Sequence, residues 1–467
     1  MKLPTFKFAV LLFSAVAWLP AQTDTDAMAA YLNGQLGPRA TGYSFTIVED
    51  GQVAASVAAG IKRAGQNFET DTKIHVASVS KTVTAVAVLQ LLEANGLSVY
   101  DSVGPWLPDE WIRGFGFWDV GGVRFVDLLT HTSGVQQTIS KYLTTIPGYG
   151  DVSINSYDGL QELVANGIAA DWKDTGCAVK QDDDTYVPGA PVNPGTGFGG
   201  YCYKNANYGL FRVIIPKLWQ AVNPAVDHLE LTDNLTAWLY SAYVAQNIWG
   251  PLGFNAACYE LDEDERTHYF DARYPTAPPK TDWGEASMFS GCGPVGWHLS
   301  SVELAKFTTF LSHPEWLPAD QRILSADSRD LMDQLRLGWS AGSNSGAEAG
   351  IFWHGGDYFS GATAQTMIVT SSGVQWIPVG ASRESHACVM KFDDDVEAAV
   401  VVNSSLRGGP LWSPALFNKS LCRVLIDAHD AAREDPGARR TNPGGGGVAF
   451  PGGGGMTTGR GGIVIAR

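Results

Sequence analysis

The chain is short of charge, and shorter still of positive charge. Charged residues make up 17% of its 467, with 32 Lys and Arg against 48 Asp and Glu and a net charge of −16. Such a surface has little with which to neutralise phosphates, so nucleic acid is excluded as a partner. Metal-binding patterns are missing as well. No C-x-x-C occurs, and none of the nine histidines falls in H-E-x-x-H, which removes the common zinc frameworks. The acidic runs Asp182-Asp183-Asp184, residues 262–265 and Asp393-Asp394-Asp395 lack EF-hand spacing and read as solvated turns. Neither a metal nor any other cofactor is expected. The apolar run at residues 8–19 is too short to span a bilayer. With Lys2 and Lys7 before it and Pro20-Ala21 after it, it reads as a secretory signal peptide cleaved near Ala21. No cysteine follows directly to carry a lipid. The expected product is secreted, periplasmic or extracellular, with no membrane span.

What is present is a body able to bury a large core, 45% hydrophobic, followed by a tail that cannot. Two Pro-Gly-Gly-Gly-Gly copies, from Pro443 and Pro451, dominate residues 437–467, expected as a flexible end. Residues 22–436 form the expected domain. Its six cysteines, an even number, suit disulfides in an exported chain. The expected pairs are Cys177–Cys202 and Cys258–Cys292, each closing an irregular insertion, and Cys388–Cys422, joining a late strand to the last helix.

Residues 43–48 and 53–59 flank Glu49-Asp50-Gly51 as a hairpin. Strand-like segments recur at 363–369, 374–378, 386–392 and 397–403, before an amphipathic helix at 411–434. Most of the intervening chain is helical or irregular. The fold class is therefore α+β: an antiparallel sheet built from both chain ends, with flanking helices and an inserted, mostly helical region. Within the insert a buried helix is expected to open at Ser78 and to stop at Gly96. Another starts at Ser300, with Glu303 near the capping-box position.

Three motifs carry chemistry. Ser78-Val79-Ser80-Lys81 puts a hydroxyl and an amine on one helix face, at the end where negative charge is favoured. A lysine half-buried there loses its proton more easily than a free one. Tyr203-Lys204-Asn205 adds a phenol that can relay the serine proton and an amide that can hold a substrate carbonyl. His354-Gly355-Gly356, followed by Asp357, can form an edge strand whose Asp357 amide completes an oxyanion site with that of Ser78. Ser80 is a weaker nucleophile candidate, because it points to a different part of the helix surface. Gly338-Trp339-Ser340-Ala341-Gly342 matches the nucleophile elbow, which needs a strand before the serine and a helix after it. Ser343-Asn344-Ser345-Gly346 reads as a loop instead, so this match is taken as chance.

With these segments the chain resembles the serine β-lactamase-related family, the group of class C β-lactamases, DD-peptidases, D-aminopeptidases and related esterases. Residues 75–92, Leu128-Leu129-Thr130-His131-Thr132-Ser133-Gly134, residues 194–210, 293–307, Gly338-Trp339 and residues 354–361 carry the likeness. It implies a β-lactamase/transpeptidase-like fold, with Ser78 the acylated nucleophile, Lys81 its activator, Tyr203 a proton shuttle and Asn205 an orienter of the substrate amide. His131 belongs to a structural signature. His354 stands where many members place lysine, and Gly355 where class C β-lactamases carry threonine. Efficient β-lactam hydrolysis is therefore not expected, while esterases and peptidases of the family tolerate His-x-Gly. The leading expectation is an exported serine hydrolase of esters or D-amino-acid amides or peptides, its partner a small-molecule or peptide substrate. A β-lactamase or penicillin-binding DD-carboxypeptidase is the alternative enzyme, and a non-catalytic surface binding module the alternative of another kind. The insertion at 149–193 should wall the cleft. Oligomeric state is not legible.

Overall fold

The computed structural model describes residues 23–112, 123–133, 157–166, 178–180, 186–188, 203–258, 261–272, 277–280, 291–340, 350–360, 364–370, 373–379, 383–406 and 420–433. The expected signal peptide, the tail, Cys177, Cys202 and most of the 149–193 insertion lie outside them.

The strands in chain order are β1 (Gly42–Glu49), β2 (Gln52–Arg63), β3 (Gln66–Asn67), β4 (Ile74–His75), β5 (Ala178–Lys180), β6 (Tyr186–Pro188), β7 (Ala257–Cys258), β8 (Trp297–Leu299), β9 (Phe352–Ser360), β10 (Ala364–Thr370), β11 (Gly373–Val379), β12 (Arg383–Lys391) and β13 (Val396–Val402). The main sheet runs β3-β2-β1-β13-β12-β9 and is antiparallel throughout. It is thus built from both chain ends, and β9, which carries His354-Gly355-Gly356, is its edge. The segments at 363–369 and 374–378 do form strands, but β10 and β11 pair with each other as a separate ribbon.

Side chains of β1, β12 and β13 alternate between two apolar layers, as the two-residue strand period requires. Tyr43, Phe45, Ile47, Cys388, Met390, Ala398 and Val400 pack with the helices Thr25–Leu36 and Leu421–Arg433. Ala387, Val389, Ala399 and Val401 join the larger core of the helical region. The last helix begins at Leu421 within the described residues; 411–419 lie outside them.

The central helix of that region is Ser80–Ala94, with 12 of its 15 residues buried. A helix apolar all round has to be enclosed, and its few polar groups are bonded inside. Thr82 Oγ1 donates to Gly338 O at 2.8 Å, and Thr84 Oγ1 to Gly293 O at 2.6 Å. It ends as expected, with Asn95 capping and Gly96 at φ +63°. Its start differs from expectation. Ser78 lies in a single 3-10 turn, Ala77–Val79, whose Ser80 amide bonds back to Ala77 O; Ala77 holds φ +48°. That tighter winding precedes the α-helix proper. The capping box at Ser300 and Glu303 forms on the helix Ser301–Ser312.

Cys258–Cys292 and Cys388–Cys422 are bonded as expected.

Candidate active site

Ser78 and Lys81 sit on adjoining turns, and Lys81 Nζ donates to Ser78 Oγ at 2.8 Å. The amine is sealed from solvent and donates also to the Pro294 carbonyl at 2.9 Å. Burial holds Lys81 well below the usual lysine range, so the neutral amine is accessible. The contact can then run in either sense, since an ammonium donates to Ser78 Oγ and a free amine accepts its proton.

The Tyr203 hydroxyl donates to Ser78 Oγ from the other side, at 2.7 Å. Lys81 Nζ lies 4.9 Å from the centre of the Tyr203 ring. Tyr203, 39% exposed, and half-buried Ser78 meet solvent, whereas Lys81 does not. The short helix Asn205–Gly209 begins two residues later, with half-buried Asn205 in its first turn.

The loop at 130–133 holds this tyrosine segment in place. The Lys204 amide lies 3.2 Å from His131 Nδ1 and donates to it, and Asn207 Nδ2 lies 3.1 Å from the same atom. Ser133 Oγ donates to Asn207 Oδ1, and Tyr208 OH donates to Leu129 O. The His131 ring lies against that of Tyr203, centroids 4.4 Å apart. Burial and nearby Lys81 hold His131 well below the usual histidine range, so it serves here as a neutral brace. That role for His131 and Asn207 is written in tertiary contacts, and no spacing announces it.

His354, Gly356 and Tyr358 share the face of β9 turned toward this site. A Cβ on Gly356 would stand 2.0 Å from Val76 O and 3.1 Å from Ser78 N, so the strand runs flush against the backbone that presents the serine. His354 is buried. Burial first, then Lys81, bring its imidazole down to about 3. Its Nδ1 lies 2.8 Å from Gly355 O, and a carbonyl can only accept, so the proton sits on Nδ1. Among the described residues, the place where a cation was considered therefore holds a neutral ring.

Gly338 packs with φ +74° against the central helix, where a Cβ would meet that of Ala85 at 2.5 Å. Ser340 follows the helix Ala326–Leu335 and a turn, and its amide donates to Trp353 O. No strand leads into it, as an elbow would require; residues 341–342 lie outside the described set. Among the described residues no cluster could hold a metal ion. One group escaped sequence reasoning: Asp357, His386 and Glu384 are joined on the other face of β9 and β12.

A family model described as Beta-lactamase matches residues 26–405. Solved structures with the same fold include a D-amino acid amidase from Ochrobactrum anthropi SV3 complexed with L-phenylalanine. It is 16% identical with a TM-score of 0.51, covering 89% of this chain and 99% of that one. A beta-lactamase/D-alanine carboxypeptidase from Pseudomonas syringae is 16% identical, TM-score 0.51, covering 88% and 98%. An octameric penicillin-binding protein homologue from Pyrococcus abyssi is 17% identical, TM-score 0.52, covering 84% and 75%.

Proposed function

The chain belongs to the Beta-lactamase family, a family of serine hydrolases, and on that footing we propose that it is an exported hydrolase forming an acyl-enzyme on Ser78. The observation that carries this reading is the pair of donors on one oxygen, Lys81 Nζ at 2.8 Å and Tyr203 OH at 2.7 Å from Ser78 Oγ. The neutral Lys81 amine takes the Ser78 proton as Oγ attacks the carbonyl. The oxyanion is met by the amides of Ser78 and Asp357, and Asn205 orients the substrate amide. Tyr203 passes a proton to the leaving group, and water then releases the acyl group by the reverse transfers. With nucleophile, base and relay all in reach, a purely binding role would leave the constellation without a purpose.

The substrate class proposed is esters and D-amino-acid amides or peptides. A neutral His354 and a Gly355 without hydroxyl give a carboxylate beside the scissile bond little to hold it. That disfavours β-lactams and peptides with a free terminal carboxylate next to the cleaved bond. The amidase among the fold relatives supports an amide substrate by analogy of fold alone.

A panel of a nitrophenyl butyrate ester, D- and L-phenylalanine amide and a chromogenic cephalosporin tests the class. The ester and D-amide should exceed the cephalosporin in kcat/KM by about a hundredfold, the scale of a lost charge-assisted contact. A cephalosporin turned over fastest would contradict it. Export is supported by the two cysteine pairs; among the described residues no helix is long and apolar enough to cross a membrane. Terminal sequencing of the exported chain should begin at Gln22.

A further inference from the structure

Among the described residues, the edge strand that offers the Asp357 amide has only one lateral neighbour, β12. At its two preceding positions, Gly355 and Gly356, it has no side chain with which to be tied down. The next residue is tied. Asp357 pairs in register with His386, and His386 Nδ1 lies 2.5 Å from Asp357 Oδ1. The other ring nitrogen, Nε2, lies 2.9 Å from Glu384 Oε2. His386 and Glu384 are buried, whereas Asp357 is about half exposed. Both carboxylates can only accept from a ring that offers a proton on each nitrogen, which is the imidazolium. Burial alone would lower His386, but Asp357 and Glu384 outweigh it and push it up to about 9.

On the reading that the amides of Ser78 and Asp357 form the oxyanion site, we propose that His386 and Glu384 are positioning residues. Through the Asp357 carboxylate they fix its backbone amide opposite Ser78 and so set the rate of acyl transfer rather than substrate affinity. The lever is short. Gly356 touches the Val76–Ser78 backbone on one face, while the tie acts on the next residue from the opposite face. A donor displaced by about an ångström loses much of its effect on a developing oxyanion.

The test compares Asp357→Ala, which keeps the amide and removes the tie, with Asp357→Asn, which keeps an oxygen for His386 Nδ1–H. The probe is a nitrophenyl ester, with Ser78→Ala as control and thermal midpoints measured throughout. Because Asp357 is half exposed, its variants should fold. Asp357→Ala should lose about tenfold or more in kcat with KM within about twofold, and Asp357→Asn should recover most of the loss. Adding His386→Gln to Asp357→Ala should cost little more, since the tie is already cut. The proposal is overturned if Asp357→Ala keeps kcat within about twofold of the parent, if KM alone moves, or if Asp357→Asn falls as far as alanine. Activity surviving in Ser78→Ala would instead overturn the acyl-enzyme reading beneath it.

Discussion

Gly356 and Val76 are in backbone contact: the space a Cβ would need on Gly356 is taken by the Val76 carbonyl, 2.0 Å away. Two segments far apart in sequence therefore meet at one glycine. Gly356→Ala should push β9 away from Ser78 and lower kcat by about a hundredfold or more, the cost of losing one oxyanion donor. Steady-state ester hydrolysis with a folded variant checks this, and unchanged kcat would show that the strand takes no part.

Lys81→Ala should cost about two to four orders of magnitude in kcat, the range for a positioned general base. Because burial depresses Lys81, the wild-type rate should fall with acid through a value well below the 10.5 of a free lysine. His354→Asn should leave that limb in place, since His354 stays neutral above about 3. A pH–rate profile of kcat/KM for both proteins decides it.

Stability should decline toward acid. His75, His131 and His354 are held low in the fold by burial. The unfolded chain therefore takes up their protons first once pH drops below about 6.5, and stability declines toward acid. His386 is raised to about 9, so its contribution is complete below about 6.5 and is lost as pH climbs through 9. Urea midpoints should fall from pH 7 to pH 5. Above pH 7 the loss at His386 is opposed by buried Lys81, which is held low in the fold and gains stability as pH rises, so His386→Gln should raise the midpoint at pH 9.5 relative to that at pH 7.

Cys388 on β12 and Cys422 on the last helix close a span of 34 residues, and Cys422 Sγ lies under Gly355. Replacing both by serine should cost about 3 to 4 kcal/mol, read from denaturant unfolding. Thiol titration of the unfolded, unreduced chain should find no reaction at Cys258, Cys292, Cys388 or Cys422.

Much of this site was legible because its chemistry is local. Ser78 and Lys81 lie three residues apart, Tyr203 and Asn205 two, and glycines mark the strand that must approach a backbone. The sheet was legible for a similar reason, since β-branched runs at both ends of the chain left few other partners. Long-range partners were not. The Pro294 carbonyl that receives Lys81 has no side-chain signature. His131 and Asn207 brace Tyr203 only after the helical region has packed. His386 reads as an ordinary strand residue until pairing sets it opposite Asp357. The start of the central helix was misplaced by two residues, because nothing in the Ala77-Ser78 pair announces positive φ at alanine.

Labelling with a slowly released ester, followed by peptide mapping, tests the central claim most directly. The acyl group should sit on Ser78, with turnover abolished in Ser78→Ala and intact in Ser340→Ala. Acylation of Ser340, or full activity without the Ser78 hydroxyl, would contradict the account.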